Sequence, residues 1–141
     1  MKFSEIASDQ WEELQPYLDT CLLPITGLTG KESPYEATSA LEHLRDWMDE
    51  VEVPFKGRMV TYPAFHYAEE EDCARVNAFC QHLKEGGFTY VILISAQLSL
   101  TDEMVKNADL VLSPATVAPS EEENIGRIMT RKIQQLWHKN V

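Results

Sequence analysis

The run CLLPITGLTGKESP, Cys21 to Pro34, sets an apolar segment, a glycine loop with a lysine and a helix start in succession. That is the order of a phosphate-binding loop, in which backbone N–H groups and a lysine cradle an anion. The spacing argues against one. Aligning G-x-x-x-x-G-K-[ST] on Gly30 and Lys31 puts Ile25 at the first glycine and Glu32 at the magnesium-binding hydroxyl. A dinucleotide loop needs G-x-G-x-x-G, and Gly27 and Gly30 supply two glycines in another spacing. Ser33 and Glu36 stand at capping-box spacing, so a carboxylate already serves the helix start that would receive phosphate. The stretch therefore reads as a structural strand-to-helix turn.

Other reactive groups are equally weakly arranged. Ser95 lies in LISAQ, outside any G-x-S-x-G elbow, and His66 is its nearest candidate base. Asp109 could complete a triad by type, but it begins a strand and so falls at the opposite end of a parallel sheet. His66, Cys73, Cys80, His82 and the acids from Glu69 to Asp72 show neither C-x-x-C nor H-x-x-x-H spacing. No metal and no cofactor is expected from these residues. The last amphipathic stretch carries Arg127, Arg131, Lys132, His138 and Lys139 around Trp137 in an otherwise acidic chain. Arg and Trp are favoured in interfaces, so Arg131 and Trp137 are candidate partner contacts.

The elements that must position these residues alternate. DQWEELQPYL predicts a first helix capped by Asp9, with Glu12 three later and Pro16 near its end. CLLPI is a continuous apolar run, as a strand buried on both faces shows. Ser33, Pro34 and Glu36 open a long helix that Pro54 should end. RMVTYPAF, YVILIS and DLVLS read as strands. The helix from Cys73 stops at Gly86 or Gly87, a short helix is expected over 101–107, and SEEENIGRIMTRKIQQLWHKN should form the last helix with Ser120 and Glu123 as its capping box. Strands separated by helices imply right-handed crossovers. The expected fold is α/β and three-layered, a mostly parallel four-stranded sheet, flavodoxin-like or Rossmann-like, in the order 2-1-3-4. Ligands of such sheets sit beyond the strands' carboxyl ends. Here that rim offers Thr26, Lys31, His66, Ser95 and Gln97.

Bulk properties bound the partners. One domain over residues 1–141 suits the length, and 44% hydrophobic with 25% charged residues is ordinary for a globular chain. With 23 acidic against 12 basic residues and a net charge of −11, nucleic acid and anionic membranes are disfavoured. A basic protein partner is compatible, and self-association is left open. Cys21, Cys73 and Cys80 are odd in number. The last two are seven apart on one helix, a rise of about 10 Å, too far for a disulfide. Reduced thiols, no apolar core near the N-terminus and no run long enough to insert into a membrane suggest the cytoplasm.

The combination PYLDTCLLPITGL, GKESPYEA and FKGRMVTYPAFHY resembles the YpiF-like family of uncharacterised proteins from spore-forming Gram-positive bacteria. The resemblance runs through most of the chain and is densest in the first half. It implies a small cytosolic bacterial protein and brings no catalytic residues. A fainter similarity to creatininase-type amidohydrolases, in LLP followed by a glycine loop, lacks that family's metal-binding Glu and His. The reading is a non-catalytic protein-interaction or regulatory module, with a small-molecule binder or enzyme at the strand-end rim as the alternative.

Overall fold

In the computed structural model, which describes residues 1–139, the apolar runs form a sheet and the capped amphipathic runs cover it. The strands are β1 (Thr20–Pro24), β2 (Met59–Thr61), β3 (Tyr90–Ile94) and β4 (Leu110–Leu112), all parallel, in the order β2-β1-β3-β4. The helices are α1 (Ser8–Leu14), α2 (Pro34–Phe55), α3 (Cys73–Glu85) and α4 (Ile125–His138). Alternation along the strands builds two cores. Cys21, Leu23, Val60, Val91, Leu93 and Val111 face Val76, Cys80 and Leu83 of α3. Leu22, Met59, Ile92, Ile94 and Leu112 face α2 and α4. Burial on both faces explains why β1 and β3 carry no alternating polar residues.

Several boundaries differ from expectation, each for a local reason. α1 starts at Ser8, because the Gln10 side chain accepts from the Ala7 N–H, and Asp9 lies inside the first turn. α2 runs through Pro54 to Phe55. A proline in the last turn removes one hydrogen bond only, and Phe55 packs edge-on to Trp137 with ring centroids 4.9 Å apart. β2 stops at Thr61, ahead of Pro63; Tyr62 N–H still donates to Leu22 O, and the next bond to β1 is Phe65 N–H to Pro24 O. Residues 101–107 form turns in place of the expected helix. Their polar side chains are spent elsewhere: Asp102 accepts from Val111 N–H and Asn107 bonds Asn77. α4 begins at Ile125 with Asn124 as its cap, while Ser120 accepts from the N–H groups of Glu122 and Glu123 in a preceding turn. The expected end of this helix at Asn140 lies outside the described residues. The left-handed cap of α3 is Gly87, at φ 120°, and not Gly86.

Candidate functional site

The strand-end rim is built by the loops that leave β1, β2 and β3. After β1 the chain turns at Gly27, whose φ of 75° suits glycine. The β3 loop closes directly on it: a Cβ at Gly27 would meet Gln97 Oε1 at 3.0 Å and Gln97 Cβ at 3.1 Å. Gln97, itself exposed, thus packs against Gly27 beside the crevice between β1 and β3, where the strand order reverses.

The donors of the glycine loop are also occupied from within. The Glu32 carboxylate accepts from Thr29 N–H at 2.8 Å, Gly30 N–H at 2.9 Å and the Thr29 hydroxyl at 3.0 Å. These bonds, the Thr29 amide foremost, hold the Glu32 carboxyl at about 2, far below the usual glutamate range. Ser33 and Glu36 close the expected capping box at the start of α2, and the Ser33 hydroxyl is the main cause that lowers Glu36. The residue that breaks the Walker pattern therefore supplies the anion such a loop would bind. Lys31 projects to solvent beside it.

The remaining rim residues are held in different ways. Thr26 and Ser95 are buried. The Thr26 hydroxyl donates to Phe65 O at 3.5 Å and accepts from Leu28 N–H, and Ser95 Oγ accepts from Leu98 N–H at 3.1 Å. His66 and Tyr67 are exposed, and Tyr67 sits at φ 57°, a conformation a bulky residue seldom adopts. Asp109 lies at the amino end of β4, paired with Lys84 at 3.1 Å and accepting from Val91 N–H. Burial raises Cys21 strongly and Cys80 to about 11, so both thiols stay protonated, and Cys73 is raised by burial and then by Glu70. Among the described residues, no three His, Cys, Asp or Glu side chains cluster to hold a metal ion.

The two candidate contacts on α4 separate. Arg131 pairs with Glu123 through two 3.1 Å bonds and lines an open groove of about 880 Å³ between α2 and α4. Trp137 lies at the amino end of the sheet, half-buried, with its Nε1–H donating to Thr20 Oγ1 at 3.0 Å. The Arg58 guanidinium stacks over its ring at 4.1 Å while bonding Asp19 at 2.9 and 3.1 Å. The groove holds residues that sequence reasoning passed over: Asp49 and Glu50 form an acidic wall, and Val53 is 71% exposed beside Pro54. Their signal was an apolar pair off the buried stripe of α2. Glu50 can lie against the first turn of α4 because residue 126 is glycine; a Cβ there would run into its carboxyl.

Fold and rim together define a three-layer α/β protein whose glycine-loop donors are bonded from within, with an open interhelical groove of mixed charge. The chain belongs to a family of proteins of unknown function (DUF2487), which matches residues 9–139. Neither a curated protein nor a solved structure matches it. Among the described residues, no helix is long and apolar enough to cross a membrane.

Proposed function

We propose that the chain is a single-domain, non-catalytic protein-interaction or regulatory module that docks a basic segment of a partner protein in the α2/α4 groove. The observation that carries this reading is the internal occupation of the rim, with Glu32 on the loop amides and Gln97 against Gly27. The α2 wall offers what a basic amphipathic segment needs, carboxylates from Asp49 and Glu50 and apolar surface from Val53 and Pro54, while Arg127 and the Glu123–Arg131 pair line the α4 side. Arg131, fixed by Glu123, is the proposed register contact, and Trp137 supports it by anchoring the end of α4. The setting we infer is the cytoplasm of a spore-forming Gram-positive bacterium, following the YpiF-like resemblance, with nucleic acid disfavoured as a partner by the net charge of −11.

A second reading keeps a small-molecule site at the rim, with Thr26, Lys31, His66, Ser95 and Gln97 as polar contacts. It is favoured by Tyr67, since a left-handed backbone at an exposed residue stores strain of a kind common at functional sites. One comparison separates the two readings. A partner that co-purifies with the wild type and with Lys31→Ala, and is lost from Asp49→Lys/Val53→Asp, supports the module. A thermal shift by a nucleotide or phosphorylated metabolite that Lys31→Ala abolishes would replace it with the rim reading.

A further inference from the structure

The outer edge of β2 is closed by residues 1–3, and closed thinly. Thr61 N–H donates to Met1 O at 2.7 Å, Met1 N donates to Met59 O at 2.8 Å, and Lys2 pairs with Thr61 in a parallel bridge one residue long. Phe3–Glu5 then form a 3-10 turn, and neither that turn nor α1 contains a buried residue. Phe3 is 47% exposed, its ring tilted against Tyr62 at 6.4 Å. The Lys2 ammonium stands 3.7 Å from Glu52, too far for a hydrogen bond. A segment with so few buried contacts opens far more readily than the sheet it covers. It also leaves space on both sides. A crevice of about 200 Å³, walled by Ile6, Trp11, Val60 and Tyr62, belongs to the α3 side of the sheet. Another of about 250 Å³, walled by Leu41, Leu44 and Met48, belongs to the α2 side. Phe3 lines both and fills neither.

We propose that residues 1–6 are a displaceable strap over a strand-addition site, and that the β2 edge receives, in parallel, an extended segment of a partner protein reading apolar, Lys or Arg, aromatic. In strand addition the backbone bonds supply affinity and pockets for alternate side chains supply specificity. The central cation replaces Lys2: its aliphatic stem lies along the α2 crevice while its charge reaches Glu52, whose side chain is 12% exposed. The flanking apolar residues enter the crevice beside Val60. A carboxylate at the central position would meet Glu52 as a like charge and is rejected. The tethered strap competes at an effective concentration on the order of millimolar, which selects a partner that fills the two crevices better than Phe3 does. The edge shares no lining residue with the α2/α4 groove and stands whether or not that groove holds a partner.

Two measurements on the full chain test this. In hydrogen exchange, Thr61 N–H depends on the strap, whereas Tyr62 N–H is bonded to Leu22 O of β1. Protection at Thr61 should therefore be about tenfold lower than at Tyr62; equal protection would mean that the arm opens only with the sheet and would overturn the proposal. The second is an amide-resolved NMR titration with the acetylated peptide MKFSEIA, which carries the strap's own chemistry, and with its counterpart bearing glutamate at the second position. Lys2→Glu in the chain sets a like charge against Glu52 and loosens the strap, and Phe3→Ser serves where Lys2→Glu perturbs the fold. The loosened chain should show saturable shifts at Met59, Val60 and Thr61, with binding about fivefold tighter than to the wild type, the weight of one ion pair removed from the competing strap. The glutamate peptide should give none. No saturable binding by either loosened chain, equally tight binding by the wild type, or equal binding of the glutamate peptide would each overturn the proposal.

Discussion

Glu32 accepts from two amides and a hydroxyl of its own loop, so its carboxyl titrates at about 2. A depressed carboxylate contributes stability that is present above the ordinary glutamate pKa and is lost as pH falls through its own. Ordinary glutamates protonate around pH 4.3. Glu32 should therefore remain ionised at about pH 3.5, and a carboxyl NMR titration that finds it in the ordinary range would break the account of the loop. The companion change, Glu32→Gln, should speed hydrogen exchange at Thr29 and Gly30 while leaving β1 amides unchanged. Gly27 makes a second residue-scale case. Gly27→Ala would force an L side chain into left-handed backbone and against Gln97. The expected loss is about 1–2 kcal/mol in chemical denaturation; an unchanged midpoint would mean that the rim is looser than its contacts imply.

At the scale of elements, the amino end of the sheet is tied to α4 by one stack. Asp19 holds Arg58, Arg58 covers Trp137, and Trp137 bonds Thr20 and packs on Phe55. Trp137→Leu should cost about 2 kcal/mol through the lost N–H bond and the lost ring beneath Arg58, and Arg58→Met about 1–2 kcal/mol, given how exposed the ion pair is. Because the two residues touch, the double variant should lose about 0.5–1 kcal/mol less than the sum; strict additivity would show that Arg58 does not hold α4. None of this was legible in the sequence, where Trp137 and Arg58 are distant and unpatterned. What was legible followed from local rules. Continuous apolar runs marked β1 and β3, Ser33 and Glu36 marked the start of α2, and alternation implied the parallel order. The sequence reading failed where long-range bonds overrode propensity, as when Asp102 served Val111 and residues 101–107 stayed in turns. The interhelical groove was hidden for the same reason, since α2 and α4 meet only in three dimensions.

For the whole molecule, a short parallel sheet exposes two edges, and an open edge invites pairing with another chain. Both edges are closed here. Along β2, Thr61 N–H donates to Met1 O, and Lys2 bridges Thr61. Along β4, Val111 faces away from β3, and side chains take both of its backbone groups: its N–H donates to Asp102 Oδ1 at 3.0 Å, and its carbonyl accepts from Thr116 Oγ1 at 2.7 Å. A partner that adds a strand therefore finds no free ladder at Val111, which turns the docking argument toward helical surface and the α2/α4 groove. The net charge of −11 adds general repulsion between copies. If edge closure matters beyond that repulsion, Asp102→Ala/Thr116→Val should associate with rising concentration where the wild type does not, read by light scattering. Glu103→Ala removes the same charge from the neighbouring exposed residue and leaves Val111 covered, so it should behave as the wild type. Equal scattering from the double variant and this control would assign solubility to charge alone.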